Sequence, residues 1–203
     1  MLTCLPPTSP IRTTEPTLAQ EPVTVAEARR QCRIGDGIDY HDEELSGLIP
    51  AARRQVEKDA ILVFYTGSFT WTITAFSSGQ FLEIDGVRPV TAISSIAYID
   101  TAGDSQTWAS SNYSLKEFHR KHSAVALTYG NSWPSVRGDV NGITITLTAG
   151  YSSVLAMPPE AKVAVKLALH VQWLLNMGMF AEAESQQTAY ERQIELLRPE
   201  VYA

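Results

Sequence analysis

The spacing of apolar residues changes twice along this chain of 203 residues, and that change constrains the fold more than any single motif. Between residues 24 and 60 apolar side chains recur every three or four positions, which is the period of a helix buried on one face. From 61 to 156 they alternate in short runs rich in β-branched and aromatic residues, which is the period of a strand. The helical period returns after residue 157. The sequence therefore predicts an α+β fold in which a helical bundle is interrupted by an antiparallel β domain.

Two helices are predicted before the β region. Thr24, with Glu27 three residues later, has the form of a capping box and opens the first helix. The second helix is expected to begin at Asp39 or His41. It contains Pro50, whose missing N–H predicts a kink or a break in helix register.

Two further helices are predicted after the β region, so that the bundle has about four. Residues 158–160 place proline at a helix start, where the missing N–H is harmless. Gly178 ends that helix. The last helix is mostly polar and runs from Ala181 or Glu182 to Leu197.

Seven short apolar runs separated by turn residues predict an antiparallel sheet, a small sandwich or a barrel. These runs are 61–65, 69–76, 80–84, 93–100, 113–115, 124–129 and 142–148.

The pattern divides the chain into an arm, a helical core, an inserted domain and a tail. Residues 1–22 hold five of the eleven prolines and predict an extended arm, either disordered or ordered against a neighbouring subunit. The helical core is assigned to 23–60 and 157–198. The inserted antiparallel β domain is assigned to 61–156 and the C-terminal tail to 199–203.

Composition excludes several classes of protein. Sixteen basic against twenty-two acidic residues leave a net charge of −6, the opposite of a basic nucleic-acid-binding surface. The longest apolar stretch, 163–177, is interrupted by polar residues and predicts no membrane span. No secretory signal is visible at the start. Cys4 and Cys32 are too few for a disulfide framework and suit a reducing compartment. We expect a soluble, intracellular, globular protein.

The sequence contains no recognised catalytic motif. It has no glycine-rich phosphate loop, no nucleophile elbow and no zinc-protease motif. His119 and His122 have the spacing of metal ligands, but cations surround them and no cysteine or aspartate is adjacent. Cys32 is interpreted as a small buried apolar residue and His170 as a satisfied core or interface histidine. We expect no enzyme activity, no metal and no cofactor.

A short basic segment within the β region is open to two interpretations. Lys116, Arg120 and Lys121 form either a solvated loop or a patch that contacts phosphate or an acidic partner.

Seven segments follow one another in a fairly specific order, at 21–28, 42–57, 71–73, 88–100, 129–134, 143–151 and 157–162. In that order they resemble the head-tail adaptor proteins of long-tailed bacteriophages and gene-transfer particles, also called head-completion or connector proteins. The resemblance is to the branch in which a β domain interrupts the helical core, and it covers about 23–178. The chain departs from this family at 58–60, which lacks the usual short turn, and in its longer and more polar last helix.

The resemblance implies a structural virion protein of the neck, between head and tail, that is present in the host cytoplasm during assembly. It implies a homo-oligomeric ring of twelve copies under the portal protein, extending the DNA channel and offering a platform to a stopper or tail-completion protein. Packaged double-stranded DNA would pass without sequence-specific contacts, and no membrane is involved. The alternatives are a stopper or tail-completion protein of the same neck, or a β-type protein- or carbohydrate-binding module.

Portal docking is predicted for the last helix and the tail, because their apolar stripe is too narrow to be ordered within one subunit. Its residues are Tyr190, Ile194, Leu197, Val201 and Tyr202. The acidic charge suits a channel, since carboxylates repel DNA phosphates. Arg120 and Lys121 are expected away from the narrowest part of that channel.

Overall fold

The computed structural model describes residues 10–13, 20–35, 37–118, 122–138 and 141–198. It consists of two compact units. The helical unit draws on both halves of the chain, and the β unit comprises Tyr65–Gly150 with the N-terminal strand. The predicted α+β class is confirmed, because antiparallel strands interrupt a helical bundle.

Four helices occur in the described part of the chain, as predicted. They are α1 (Val25–Gln31), α2 (Asp42–Ala60), α3 (Pro159–Asn176) and α4 (Phe180–Leu197). The capping box of α1 is confirmed: Thr24 Oγ1 accepts the Glu27 N–H at 3.2 Å, and the Glu27 carboxylate accepts the Thr24 N–H at 3.1 Å. Helix α2 continues through Pro50, and the break in register is not observed. Proline removes only one internal hydrogen bond, and buried side chains on both sides of it hold the helix.

Helix α3 is the centre of the helical unit, since α1, α2 and α4 all contact it. Its buried face alternates small and larger apolar residues, and this lets neighbouring helices approach closely. The buried residues are Ala161, Ala164, Val165, Ala168, Leu169, Val171, Trp173 and Leu174. Complete burial of a side chain such as Leu169 contributes about 1.5–3 kcal/mol to folding.

Ionic contacts join α1 to α3. Lys162 Nζ lies 2.9 Å and Lys166 Nζ 3.2 Å from Glu27 Oε1. Burial opposes ionisation of Glu27, but hydrogen bonds from Lys162, the Thr24 backbone and Lys166 together lower its pKa to about 2. Glu27, which belongs to the capping box of α1, therefore also links this helix to the second half of the chain.

A second ionic network holds the segments on either side of α2. The buried Arg53 donates from Nε to Glu21 Oε2 at 3.0 Å and from Nη1 to Glu57 Oε2 at 2.7 Å. The other oxygen of Glu57 accepts the Phe64 N–H at 2.9 Å. The guanidinium of Arg53 therefore holds both the segment before α1, through Glu21, and the segment after α2, through Glu57.

The described part of the β unit contains eight strands in two antiparallel sheets. The strands are β1 (Ile11–Arg12), β2 (Gly67–Ile73), β3 (Phe81–Ile84), β4 (Val90–Ile99), β5 (Ser105–Trp108), β6 (Tyr113–Phe118), β7 (His122–Leu127) and β8 (Ile143–Ala149). One sheet has the order β1-β2-β8-β4-β5 and the other β3-β7-β6. In β2 and β8 every second residue is buried, and Trp71 pairs with Ile145 on the buried face.

Three elements differ from the sequence-based predictions. Residues 61–65 form no strand, because Ile61 ends α2 in a left-handed conformation (φ 53°) and the following apolar residues are buried as an extended link. Strands β1 and β5 were not predicted, since one lies in the proline-rich arm and the other is largely polar. The arm is extended at β1, which pairs with Phe69 and Thr70 of its own chain.

We expect Gly150→Ala to destabilise the protein by at least about 3 kcal/mol. Gly150 has φ +110°, and a Cβ there would lie 2.3 Å from the Tyr65 carbonyl oxygen. Gly130→Ala is the matched control, because Gly130 also has positive φ but no atom lies within 4 Å of its added Cβ. The control should cost only about 1 kcal/mol, the strain of the left-handed conformation. Urea unfolding measures both, and equal losses would contradict the role of the close contact.

Candidate assembly site

A cavity of about 400 Å³ opens in the helical unit, where the end of α1, the last turns of α3 and the first turns of α4 meet. Its lining contains both apolar and polar side chains. Its lining residues are Cys32, Arg33, His170, Trp173, Leu174, Met179, Glu182, Ser185 and Gln186. We refer to it as the α3–α4 cavity.

The end of α1 places Arg33 at this cavity. The Ile34 N–H donates to the Arg29 carbonyl at 3.0 Å and the Arg33 N–H to the Arg30 carbonyl at 3.2 Å, which is the Schellman pattern of a helix end. Glycine is the usual residue at this left-handed position, but here it is Arg33, with φ 57°. The chain thereby reverses sharply and leaves the exposed Arg33 at the cavity.

Cys32 and His170 are residue types that can form a nucleophile and its base, but their environment opposes that chemistry. Burial, and to a smaller extent the charge of Glu44, raises the pKa of the Cys32 thiol to about 12, so the thiolate does not form near neutral pH. Burial lowers the pKa of His170; a hydrogen bond with Gln186 opposes this shift and the charge of Arg33 adds to it. The interpretation of Cys32 as a buried apolar residue is confirmed.

His170 was predicted to be a satisfied core or interface histidine, and the interface alternative stays a prediction. It is half-buried, and its Nδ1 atom has no hydrogen-bond partner among the described residues. The residue lines the α3–α4 cavity, but its Nδ1 atom is itself shielded from solvent.

Four large apolar side chains are exposed at the turn between α3 and α4. Leu175, Met177 and Met179 are each more than two-fifths exposed, and Phe180 is 69% exposed. We call these four residues the hairpin tip. Their combined exposed area, on the order of a few hundred Å², equals that of the largest apolar patch on a typical monomer, which is often functional. Because Met179 also lines the α3–α4 cavity, the tip and the cavity form one continuous surface.

The predicted docking stripe of α4 is already covered within the subunit. Tyr190, Ile194 and Leu197 are all buried, because α4 packs against both α2 and α3. The premise that this stripe lacks cover in one subunit is therefore wrong. The other two docking candidates, Val201 and Tyr202, lie outside the described residues.

Polar contacts join the end of α4 to the end of α2. The Tyr190 hydroxyl donates to Asp59 Oδ2 at 2.6 Å, and Arg198 Nε donates to the Asp59 carbonyl at 2.7 Å. Burial raises the pKa of Tyr190, and Asp59 raises it further. These contacts fasten the end of α4 to the end of α2.

The basic segment is described only in part. Lys116 is exposed on β6, beside the exposed Glu117. Arg120 and Lys121 lie outside the described residues, as does His119. The possible phosphate or acidic-partner contact therefore stays a prediction.

Two of the four tryptophans belong to an aromatic cluster in the β unit. Trp133 stacks on Phe76 with ring centroids 4.8 Å apart and contacts Trp108 at 5.3 Å, and its Nε1 donates to the Gly79 carbonyl at 2.6 Å. Trp108 in turn stacks on Tyr113. Because these rings cover one another, the cluster anchors its loop and offers little free ring face for a ligand.

The outward side of α4 carries a line of exposed carboxylates. Glu184, Glu191 and Glu195 are exposed and recur at helical spacing, away from the buried side of the helix. We call them the acidic stripe.

Among the described residues, no three histidine, cysteine or acidic side chains are placed to share a metal ion. No helix in the described part of the chain combines the length and hydropathy needed to cross a membrane.

No protein-family model and no curated protein matches the sequence, but the fold matches solved structures. A chain in the neck of an empty gene transfer agent particle, computed with C6 symmetry, matches with a TM-score of 0.68 and 19% identity over 97% of this chain and 98% of that chain. A chain in the native neck, computed with C12 symmetry, matches at 0.65 and 20% identity over 97% and 98%. A chain of the native virion matches at 0.64 and 22% over 93% and 96%. The predicted resemblance is thus confirmed for the fold.

Acidification below pH 6.5, the ordinary pKa of histidine, should reduce the free energy of unfolding. Because burial lowers the pKa of His170 in the folded state, the unfolded chain binds the proton more readily as pH falls from 6.5. His170→Gln should make this decline shallower. Urea unfolding between pH 7.5 and 5.5 measures the difference, in a range above the titration of Glu27. An equal pH dependence in both proteins would contradict the assignment.

Tyr190→Phe should destabilise the helical unit by about 1–3 kcal/mol, because it removes a hydrogen bond to a carboxylate. Tyr40→Phe is the control, since Tyr40 is 75% exposed, and it should change stability by less than about 0.5 kcal/mol. Denaturant unfolding compares the two, and equal effects would argue against a structural role for the Tyr190–Asp59 contact.

Proposed function

We propose that this chain is a head-tail adaptor, a structural virion protein that forms a ring in the neck of a phage-like particle. The observation that carries this proposal is the fold match over 97% of the chain to proteins from the necks of gene transfer agent particles. In this role the protein acts by binding and needs no chemical step. The raised thiol pKa of Cys32 is consistent with such a role.

The ring is proposed to contain twelve copies of the chain. The matching chains come from necks computed with C6 and C12 symmetry, and both symmetries fit a twelve-membered ring. The exposed hairpin tip supports assembly, because a monomeric protein rarely leaves several large apolar side chains together in water.

The ring is proposed to lie under the portal protein, in the virion, after assembly in the host cytoplasm. Because Tyr190, Ile194 and Leu197 are buried, their part in portal docking is to hold α4 in place. Arg198 fixes the end of this helix on α2. Val201 and Tyr202, which follow directly, are the side chains proposed to contact the portal. The opposite side of the ring then receives a stopper or tail-completion protein.

The ring is also proposed to extend the DNA channel, with the acidic stripe of α4 facing the lumen. A duplex carries one negative charge per about 1.7 Å of its axis, so carboxylates at the lumen surface repel it and oppose adhesion. The stripe contains Glu184, Glu191 and Glu195 on one side of a helix, and ring symmetry repeats it in every copy.

Electron microscopy of the chain mixed with the portal protein of its particle tests the adaptor role. The expected result is a ring attached to the portal. Recovery of the chain with a tail-completion protein but never with the portal would assign it to another position in the neck. A soluble monomer in the presence of both would overturn the proposal.

Reversal of the charges of the acidic stripe should make the lumen bind duplex DNA. Rings with Glu184→Lys, Glu191→Lys and Glu195→Lys should retain linear duplex DNA at low salt, whereas unmodified rings should retain none. Closed circular DNA is the control, because it cannot enter a closed ring. Filter retention or gel shift measures binding, and raised salt should abolish it. Equal retention of circular DNA would place the stripe on the outside.

A further inference from the structure

We infer that neighbouring copies in the ring are joined by a knob-and-cavity contact: Leu155 of one copy enters the α3–α4 cavity of the next. This inference rests on the proposed ring. It assigns a partner to the cavity and to an exposed leucine that the fold leaves without cover.

Leu155 is an unusual surface residue. It lies in a short 3₁₀ turn, Val154–Ala156, directly before α3, and it is 97% exposed. The turn is defined by the Ala156 N–H, which donates to the Ser153 carbonyl at 3.1 Å, and by the buried Met157 that follows. An ordered turn thus holds a leucine side chain almost wholly in water. Burial of this side chain under a partner would contribute about 1.5–3 kcal/mol, which is not gained while it stays exposed.

The α3–α4 cavity has the chemistry to receive this turn. Its volume of about 400 Å³ accommodates a leucine together with part of its turn. Trp173, Leu174 and Met179 supply an apolar wall. Among the polar lining residues, the exposed Arg33 and Ser185 can bond a peptide group of the entering turn.

Charge also favours this occupant. No residue between 151 and 159 is charged, so the turn enters the cavity without removing an ion from water. Exposed Met177 and Met179 border the opening, and methionine adapts its shape to an incoming apolar group. If the acidic stripe of a neighbouring copy entered the cavity instead, its carboxylates would lie beside Glu182 and repel it.

The knob and the cavity belong to the same unit and lie at opposite ends of one helix. Helix α3 has 18 residues and is about 27 Å long, with Leu155 before its first turn and the cavity beside its last turns. A chain cannot fill its own cavity across that distance. Contact between different surfaces of identical copies is heterologous, and it closes into a ring when the rotation between copies is suitable. Twelve steps of this length give a ring about 100 Å across.

Leu155→Asp tests the knob, with Leu196→Asp as the matched control. Leu196 is 69% exposed on α4 of the same unit and does not line the cavity. Under conditions where the unmodified chain forms rings, Leu155→Asp should weaken association at least tenfold by sedimentation and leave the melting temperature unchanged, while the control forms rings. Rings of Leu155→Asp at unmodified strength would overturn this inference and leave the proposed function intact. Absence of rings in the unmodified chain, with or without portal, would overturn both.

A mixing experiment tests whether the contact is heterologous. Ser185→Trp places a bulky side chain at the cavity, and this variant alone should form no ring. A mixture of Leu155→Asp and Ser185→Trp retains one intact knob and one intact cavity, so it should give one-to-one dimers and no rings. Failure of the mixture to form dimers would contradict the pairing of these two surfaces.

A cysteine pair tests the contact directly. In a Cys4→Ser background, Leu155→Cys with Gln186→Cys should give covalent multimers when rings are oxidised, and either single variant should give none. Because Cys32 lines the same cavity, Cys32→Ala is added to this background. Monomers alone after oxidation of complete rings would overturn the inference.

Discussion

Burial of α3 against the other three helices is the contact on which the rest of the structure depends. Helices α1 and α2 come from the first third of the chain, and α3 and α4 from its end, so the helical core forms only when the two parts meet. The ion pairs from Lys162 and Lys166 to Glu27 connect the same parts. The main segment of the β unit, Tyr65–Gly150, lies between them in sequence and forms its own compact unit with the N-terminal strand.

Much of this fold could be predicted because its signals are local. The capping box at Thr24 and Glu27, the alternation in β8 and the change of apolar period each depend on neighbouring residues, and each was confirmed. Residues 61–65, which were predicted to form a strand, show what local signals cannot predict. A short apolar run buried on several sides has the same composition whether or not a ladder partner lies beside it, and only tertiary packing decides.

The same limit explains the outcome for the functional surfaces. The stripe of Tyr190, Ile194 and Leu197 looked too narrow for one subunit because sequence spacing does not show that α2 lies beside it. The α3–α4 cavity was not predicted, since Arg33, His170 and Gln186 are distant in sequence and meet only in the folded bundle. One usable signal was the run of Leu175, Met177, Met179 and Phe180, which continues apolar beyond the end of a helix.

The two ends of α3 present different surfaces, and this follows from the packing of the helix. Its buried side requires small and apolar residues, because three neighbouring helices pack against it. Its ends are therefore the places where the chain can present a contact surface to another copy. One end carries the exposed Leu155 and the other the α3–α4 cavity, so in the proposed ring the helix length sets the step between copies. Insertion of seven residues, about two turns, in α3 would nearly preserve the direction of its side chains but lengthen that step by about 10.5 Å. Because a closed ring has a fixed number of equal steps, the proposed ring would constrain the length of α3 in addition to the constraint from its own core.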